Sequence, residues 1–241
     1  KSYLIYGLGL TGISVLNFLK KLKVKNIYTW DDKKKLNPKI FINYIKKVDH
    51  IVISPGINIK HTKFNKVLLK NKKKIITDLD LFYLQKPEVK SIVITGTNGK
   101  STTCKILERV LKFNKTAVKT CGNIGSPILN INIKNKNFII IEASSFQLAY
   151  SKYVKPNYAM ILNISNDHLD WHGSKKNYLN SKLKIFSNQD NKDHAFLSEQ
   201  KYVKLFRKKN FLGSLKIVKT NSFSKLKKEI KNKYLLSKPN E

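Results

Sequence analysis

The segment Ser91-Ile-Val-Ile-Thr-Gly-Thr-Asn-Gly-Lys-Ser-Thr102 joins a short apolar run to a glycine-rich turn and then to a helix-like stretch. A strand, a glycine turn and a helix in this order predict a loop whose backbone amides, together with Lys100, bind phosphate groups. The hydroxyl of Ser101 or Thr102 would then bind Mg²⁺. The segment departs from the strict phosphate-loop pattern, because Ile94 stands where that pattern has its first glycine. An ordinary glycine turn is the alternative.

Strand-like and helix-like stretches alternate on both sides of this segment. Before it, strands are expected at 3–6, 26–30, 50–54 and 74–76, and helices at 11–22, 38–46 and 63–71. From it onward, strands are expected at 92–95, 116–119, 138–142, 158–163, 195–198 and 215–219, and helices at 100–112 and 175–187. Such alternation is typical of α/β proteins with parallel sheets. The proline-containing stretch 85–89 is the candidate linker, so we expect a Rossmann-like domain over 1–86 and a P-loop-type α/β ATPase domain over 87–241.

The charge of the chain suggests a polyanionic partner, but the composition argues against one. Lysine and arginine together number 48 against 15 acidic residues, a formal net charge of +33. Arg109 and Arg207 are the only arginines, although arginine is the residue that base and phosphate recognition favours. We therefore expect no nucleic-acid partner, and a nucleic-acid-binding protein remains the third candidate function.

Two further absences from the sequence bear on location. No apolar run approaches the roughly 20 residues of a membrane span, so we expect no membrane partner. The two cysteines are too few for a disulfide framework, which favours a reducing, cytoplasmic location.

A second glycine-rich segment, Gly7-Leu-Gly-Leu-Thr-Gly12, follows the first expected strand. The spacing G-x-G-x-x-G lets a backbone approach a diphosphate at a helix N-terminus. Asp31 and Asp32 end the next strand, where a carboxylate can accept hydrogen bonds from ribose hydroxyl groups. These residues predict a site for a dinucleotide or another diphosphate-linked nucleoside. A tight turn that packs helix on strand is the alternative.

Glu142 ends the apolar strand Phe138-Ile-Ile-Ile-Glu142. In an open parallel sheet, ligands bind at the carboxyl ends of the strands. We therefore expect the Glu142 carboxylate to bind the Mg²⁺ of a nucleotide. An acidic partner for the next helix N-terminus is the alternative.

The polar segment Asn163-Ile-Ser-Asn-Asp-His-Leu-Asp-Trp-His172 follows another apolar strand. His168 and His172 stand four residues apart, as zinc ligands on a helix do, but the glutamate of H-E-x-x-H is missing between them. We favour an oxygen-rich Mg²⁺ site with one imidazole over a zinc site. An ordinary polar loop is the alternative.

Lys182 falls on the apolar face of the helix expected at 175–187. At 100° per residue, Tyr178 and Phe186 lie within about 60° of it, whereas Lys184 points to the opposite face. An amine in that position either extends outward to water or is desolvated, in which case its pKa falls and it becomes nucleophilic. A neutral amine of this kind could capture CO₂ as a carbamate and so become a metal-binding anion.

Taken together, these motifs resemble the Mur ligases, and among them the branch that adds D-glutamate. The matching motifs occur in the family's order and span nearly the whole chain; they are Gly7-Leu-Gly-Leu-Thr-Gly12, Ser54-Pro-Gly56, Gly96-Thr-Asn-Gly-Lys-Ser101, Gly122-Asn-Ile-Gly125, Glu142 with Ser144-Ser-Phe-Gln-Leu148, Asp167-His-Leu-Asp170 and Lys182. The resemblance implies an enzyme that uses ATP to phosphorylate the carboxylate of UDP-N-acetylmuramoyl-L-alanine. The amine of D-glutamate then attacks the acyl phosphate to form an amide, in the synthesis of peptidoglycan. A monomer is expected.

The resemblance also implies the site residues. Those implied for ATP are Gly96, Thr97, Asn98, Gly99, Lys100, Ser101 and Thr102. Those implied for the UDP substrate are Gly9, Leu10, Thr11, Asp31, Asp32, Gly56, Asn123 and His168. Two Mg²⁺ ions are implied, one held by Ser101 and Glu142 and the other by His168 and a carbamylated Lys182. Lys100, His168 and Lys182 are the implied catalytic residues.

Members of the family carry a third domain, and this chain ends before one. We therefore expect a C-terminally truncated ligase that turns over little substrate, with Asn240 as a weak candidate for contact with the purine. The competing function is an NAD-dependent dehydrogenase or a nucleotide-sensing Rossmann module. That function rests on the segment 7–12 and Asp31 alone, and it leaves the segment 96–102 unexplained.

Overall fold

The computed structural model describes residues 1–218, apart from Lys35, Lys86 and Asn135. The strands are β1 (Tyr3–Tyr6), β2 (Ile27–Trp30), β3 (His50–Ile53), β4 (Ile75–Ile76), β5 (Lys90–Thr95), β6 (Val118–Gly122), β7 (Phe138–Glu142), β8 (Tyr158–Ile161), β9 (His194–Leu197) and β10 (Ser214–Ile217). The helices are α1 (Leu10–Lys21), α2 (Pro38–Lys47), α3 (Asn65–Lys70), α4 (Asp78–Leu84), α5 (Lys100–Phe113), α6 (Ser145–Tyr150), α7 (Leu169–His172), α8 (Lys175–Leu183) and α9 (Gln200–Lys208). The predicted α/β class is confirmed.

The strands form two sheets, and every pairing in them is parallel. The first sheet has the order β2-β1-β3-β4 and the second β10-β9-β8-β5-β7-β6. In the first sheet, Tyr3 pairs with Ile27 on one side and with His50 on the other. In the second, β5 lies between β7 and β8, so the loops that follow these three strands meet at one edge. This is the edge at which parallel α/β sheets bind ligands.

Helices cover both sheets, and the sequence explains why they form where they do. On one face of the first sheet, Trp30, Phe41 and Phe64 build an aromatic core in which the Phe41 and Phe64 rings stack at 4.0 Å. On the other face, Val15 and Leu19 of α1 are buried. Spacing of four residues between apolar side chains places them on one side of a helix, so α1 forms where its buried face meets β1.

The predicted element boundaries differ from the structure in a few places. The strand predicted at 116–119 lies instead at Val118–Gly122, because the Thr116 amide donates to the Leu111 carbonyl and so ends α5. The helix predicted at 175–187 ends at Leu183 and continues as a 3-10 turn over Lys184–Phe186. Lys219, the predicted end of the last strand, lies outside the described residues, as does Asn240.

Helix α4 joins the two sheets. Its Leu81 packs into the core of the first sheet, whereas Leu79 and Phe82 pack into the core of the second. Thr77 and Asp80 form a capping box at its N-terminus. Beside it, the Asp78 carboxylate accepts a hydrogen bond from Gln147 Nε2 at 3.3 Å, so α4 is also tied to α6.

Several lysine amines donate to main-chain carbonyls rather than to carboxylates. Lys74 Nζ donates to the Ile45 carbonyl at 3.0 Å, and Lys152 Nζ donates to the Lys72 and Lys73 carbonyls at 3.0 and 2.8 Å. Lys184 Nζ donates to the Ala149 carbonyl at the end of α6. Cations at the carboxyl ends of helices stabilise the carbonyls that have no partner there.

None of the helices in the described part of the chain has the length and apolar character needed to cross a membrane.

Candidate nucleotide-binding site

The second glycine turn (residues 96–100) connects β5 to α5. Gly99 has a φ of +80° and is the N-cap of α5, a backbone conformation that glycine adopts without strain. Lys100 Nζ bends back over the turn and donates to the Gly96 and Thr97 carbonyls at 3.0 and 2.8 Å. The first amides of α5 have no partner within the helix, so they remain able to bind an anion at its N-terminus.

Two of the amides predicted to bind phosphate already have partners. The Thr97 amide donates to the Asn163 carbonyl at 3.0 Å. The Asn98 amide donates to Asn163 Oδ1 at 2.9 Å. The amides of Thr97 and Asn98 are therefore not available to a phosphate while these bonds are made.

Glu142 and Ser101 meet at the carboxyl edge of the second sheet, as the sequence predicts. The Ser101 hydroxyl donates to one carboxylate oxygen of Glu142 at 2.7 Å, and Asn123 Nδ2 donates to the other at 3.0 Å. Glu142 is buried. A carboxylate and a hydroxyl are the hard oxygen donors that Mg²⁺ prefers, so this pair fits the ion that the family implies. Ser144, rather than Glu142, is the residue that caps α6.

A glycine allows this close arrangement. Gly122 ends β6 with a φ of +105°, and a Cβ at this position would lie 2.4 Å from the Glu142 carbonyl oxygen. No other residue could hold the chain so close to Glu142 without a shift of the backbone. The amide that follows, on Asn123, donates to the same carbonyl at 2.9 Å.

Lys182 points inward to the second glycine turn rather than outward to water. It is 1% exposed, and its Nζ donates to the Gly96 carbonyl at 2.7 Å. The amine also lies 4.6 Å from the centroid of the Tyr178 ring. Burial, with a smaller contribution from the nearby Lys100 ammonium, lowers the pKa of Lys182 to about 7, and Asp167 opposes that shift. A sizeable share of the amine is therefore neutral near pH 7, which is the form that carbamate formation requires.

The two histidines of the polar segment have different surroundings. His168 is the N-cap of α7, and its half-exposed ring lies 4.7 Å from the Phe146 ring and has Nε2 3.4 Å from Asp167 Oδ2. His172 is buried, with Nε2 3.0 Å from Ser145 Oγ. Burial is the main cause that lowers the pKa of His172 to about 4.

The described residues contain no cluster of three or more His, Cys, Asp or Glu side chains that could hold a metal ion. Ser101 and Lys182, which were also predicted to hold metal, are not among these residue types, and their role as ligands stays a prediction.

The first glycine turn (residues 7–12) connects β1 to α1 and is held by a carboxylate. Asp31 Oδ2 accepts a hydrogen bond from the Leu8 amide at 2.7 Å, and this backbone bond is the main cause that lowers the pKa of Asp31. The Asp32 carboxylate accepts bonds from the Tyr6 hydroxyl and from Trp30 Nε1. Asp31 thus holds the turn itself, whereas Asp32 bonds to side chains of the two strands beside it.

The glycines of this region divide into packed and open positions. A Cβ at Gly12 would lie 1.9 Å from the Gly7 carbonyl oxygen, so Gly12 is required for the turn itself. A Cβ at Gly9 or at Gly56 would meet no atom within 4 Å. The side chain of Leu10 is 83% exposed. Gly12 is therefore explained by the alternative given above, a tight turn that packs helix on strand. Gly9, Gly56 and Leu10 instead border open space in which a ligand could lie.

Comparison with known proteins accounts for this combination of sites. Residues 94–240 match the family model described as the Mur ligase middle domain. The chain belongs to the Mur ligase family. The resemblance seen in its motifs is thereby confirmed.

Two curated relatives of this Mur ligase chain carry the same name, UDP-N-acetylmuramoylalanine–D-glutamate ligase. The protein from Aquifex aeolicus is 38% identical over 83% of this chain and 47% of its own length. The protein from Hydrogenobaculum sp. is 36% identical over 93% of this chain and 54% of its own length. The chain thus spans about half the length of the curated relatives it matches.

A solved structure confirms the fold of the Mur ligase chain. The UDP-N-acetylmuramate:L-alanyl-gamma-D-glutamyl-meso-diaminopimelate ligase from Neisseria meningitides superposes with a TM-score of 0.54. The two sequences are 15% identical. The superposition covers 90% of this chain and 77% of the Neisseria protein. At this identity the likeness concerns the fold alone.

Sequence reasoning missed three partners within this Mur ligase site. Asn163 binds the second glycine turn, the Tyr178 hydroxyl lies 3.0 Å from Thr97 Oγ1, and Ser145 contacts His172. The helical spacing placed Tyr178 on the same face as Lys182, but it did not indicate the contact of Tyr178 with Thr97. For Asn163 and Ser145 the sequence offers no comparable signal.

Proposed function

We propose that the chain is part of an ATP-dependent ligase that adds D-glutamate to UDP-N-acetylmuramoyl-L-alanine in peptidoglycan synthesis. The observation that carries the proposal is the convergence of Lys100, Lys182 and the Ser101–Glu142 pair on one end of the second sheet. The names of the curated relatives support the choice of substrates. We place the UDP-substrate domain at 1–86, the ATP domain at 87–241, and a monomeric protein in the cytoplasm.

In this proposal the second glycine turn and the start of α5 bind the phosphates of ATP. Lys100 lies within the turn, so its ammonium group can exchange its bonds to the Gly96 and Thr97 carbonyls for bonds to the phosphates. The reaction brings the carboxylate of the muramyl-alanine substrate against a triphosphate, and two anions repel each other. Cations fixed beforehand at the site of reaction reduce that repulsion and stabilise the charge on the transferring phosphoryl group.

Two Mg²⁺ ions would share this task, neutralising charge on the transferring phosphoryl group. Ser101 and Glu142 would hold one ion. His168 and a carbamylated Lys182 would hold the other. The oxygen donors at Ser101 and Glu142 fit such an ion as they stand, whereas Lys182 fits only after modification.

Carbamylation of Lys182 follows from its environment. The neutral amine attacks CO₂, a C–N bond forms, and one proton is released to solvent, which leaves a carbamate anion. Burial of Lys182 and the lowering of its pKa to about 7 supply the neutral amine. In the chain supplied with ¹³C-labelled CO₂, we expect one ¹³C NMR carbamate signal that is absent from Lys182→Met. The same signal in both proteins would contradict the assignment.

The first glycine turn would bind the UDP part of the substrate. Gly9, Leu10 and Gly56 border the open space there, and Thr11 lies in the same first turn of α1. Asp31 holds the turn through the Leu8 amide, and Asp32 follows Asp31 just after the end of β2. Asn123 and His168, at the edge of the second sheet, would reach the acyl end of the substrate.

The proposed reaction has two steps. The substrate carboxylate oxygen attacks the terminal phosphorus of ATP, and ADP leaves with the electrons of the broken P–O bond. The amine of D-glutamate then attacks the acyl carbon, phosphate leaves, and one proton is lost from nitrogen as the amide forms.

Titration of the chain with two ligands tests this function against the dehydrogenase alternative. We expect calorimetric heat of binding with UDP-N-acetylmuramoyl-L-alanine and no change of NADH fluorescence on titration with NADH. Binding of NADH with no response to the UDP substrate would favour the dehydrogenase. DNA binding that falls steeply with salt, with no response to nucleotides, would favour the nucleic-acid alternative.

A further inference from the structure

We propose that Asn163 is a positioning residue that makes the binding of nucleotide phosphates at the second glycine turn and the binding of the UDP substrate beside His168 depend on each other. The inference rests on the proposed function, but none of the residue roles assigned above includes Asn163. It begins with the hydrogen bonds that Asn163 makes.

Asn163 pairs with the main chain of Asn98 in both directions. Its Oδ1 accepts from the Asn98 amide at 2.9 Å, and its Nδ2 donates to the Asn98 carbonyl at 3.0 Å. Its own carbonyl accepts from the Thr97 amide at 3.0 Å. Three hydrogen bonds thus join one residue to two consecutive residues of the turn, so the turn and Asn163 must move together.

The contact continues along the loop that leads to His168. The Ser165 amide donates to Thr97 Oγ1 at 3.0 Å. The same Thr97 oxygen lies 3.0 Å from the Tyr178 hydroxyl. Residues 163 and 165 are therefore both fixed to the turn, within five residues of His168.

The far end of this loop has a backbone conformation that needs support. His168 has a φ of +51°, in the left-handed region that residues other than glycine rarely adopt. Such a conformation persists where neighbouring structure holds it. The side chains of Ser165, Asn166 and His168 are exposed, so the bonds to the second glycine turn are among the few contacts that hold this loop, together with the contact of the His168 ring with Phe146.

A ligand that holds the second glycine turn in one conformation should therefore also hold the loop 163–168, which carries His168, in one conformation. By thermodynamic linkage, a ligand that fixes His168 must favour phosphate binding at the turn by the same factor. Asparagine is suited to this connection because its side chain both donates and accepts. Aspartate at this position would keep the acceptor for the Asn98 amide but could not donate to the Asn98 carbonyl.

The test measures the dissociation constant of UDP-N-acetylmuramoyl-L-alanine by calorimetry, with and without a saturating non-hydrolysable ATP analogue and Mg²⁺. In the unmodified chain we expect the analogue to tighten substrate binding about 5-fold or more, the lower end of ordinary coupling between sites. In Asn163→Ala the ratio should fall toward one, and in Asn163→Asp it should fall part of the way. The affinity of the analogue, measured with and without the UDP substrate, should change by the same factors.

Asn166→Ala is the matched control, because Asn166 lies in the same loop with an exposed side chain. This variant should keep the coupling of the unmodified chain. Thermal unfolding curves show whether each variant is folded, and Asn163→Asp provides the measurement if Asn163→Ala is not.

The outcomes separate the inference from the proposed function. If the unmodified chain binds both ligands with a ratio of one, or if the Asn163 variants keep the full ratio, the positioning role is wrong while the proposed function stands. If the unmodified chain binds neither ligand, the proposed function is wrong and the inference falls with it.

Discussion

The two glycine turns share a backbone plan and differ in charge. Each follows a buried parallel strand and opens a helix, and each needs a glycine where a side chain could not fit or would be strained. The first turn is held by a carboxylate, since Asp31 accepts from the Leu8 amide. The second is held by two lysine amines, since Lys100 and Lys182 both donate to the Gly96 carbonyl.

This difference shows that glycine spacing alone does not identify a ligand. A turn held by the Asp31 carboxylate, with open space around Gly9 and Gly56, suits a diphosphate-linked nucleoside whose phosphates meet main-chain amides and whose ribose meets the carboxylate. A turn that bears the Lys100 ammonium group next to the buried Glu142 carboxylate suits a polyanion that arrives with Mg²⁺. Lys100→Ala, Gly12→Ala and Gly9→Ala test this difference between the two turns.

The largest effect is expected from Lys100→Ala. Loss of a charged donor to the phosphates should weaken binding of an ATP analogue about 10- to 100-fold, the usual range for a hydrogen bond to a charged group. Binding of the UDP substrate alone should change little, because Lys100 belongs to the second turn. Calorimetry with each ligand measures both, with Lys105→Ala, an exposed position on the same helix, as the control. Equal losses for both ligands would show that the turns are not separate.

The next effect distinguishes packing from binding within the first turn. Gly12→Ala places a Cβ against the Gly7 carbonyl and should lower the free energy of unfolding by about 1–3 kcal/mol. Gly9→Ala meets no atom within 4 Å, so its stability should stay within about 0.5 kcal/mol of the unmodified chain. Gly9→Ala should nevertheless weaken binding of the UDP substrate. Urea unfolding measures the free energy of unfolding, and calorimetry measures the affinity for the UDP substrate. A strongly destabilised Gly9→Ala would contradict the conclusion that Gly9 borders open space.

The smallest effect concerns two buried groups outside the turns, Asp78 and His172, which both contact α6. Burial raises the pKa of Asp78 from 3.8 to about 6, so the folded state binds the extra proton and stability falls as pH rises from 4 to 6. Burial lowers the pKa of His172 from 6.5 to about 4, so the unfolded state binds the extra proton and stability rises over nearly the same range. The two slopes oppose each other, and neither exceeds about 1.4 kcal/mol per pH unit.

Single variants separate the two contributions. Asp78→Asn should make stability rise more steeply between pH 4 and 6, and His172→Gln should make it rise less steeply. Urea unfolding at several pH values measures the slopes. If both variants shift the slope in the same direction, at least one of the two pKa shifts has the wrong sign.

Much of the fold could be predicted from the sequence, because the alternation of apolar runs and amphipathic stretches is a local property. The strands at 3–6 and 138–142 were predicted to the residue. Helices α4, α6 and α9 were not predicted. The first two are only seven and six residues long, so their apolar residues complete less than two turns of periodicity, and they are fixed by capping boxes and by packing between the sheets.

The site was predictable in part. The periodicity of α8 placed Lys182 on a buried face, and the structure buries it. The contact of Lys182 with the Gly96 carbonyl joins residues 86 positions apart, and the pairing of Asn163 with Asn98 joins residues 65 positions apart. Neither contact has a local pattern, because each arises only when the loops after β5 and β8 meet at the edge of the sheet.

The lysines that donate to main-chain carbonyls have a consequence for how this sequence can change over time. A carboxylate partner disappears when its residue is replaced, but a carbonyl is present whichever amino acid occupies the position. The bonds that Lys74, Lys152 and Lys184 make are therefore insensitive to substitution of their partners. A protein of this kind can therefore gain lysines and lose acidic residues during evolution while these lysine contacts between its segments are kept.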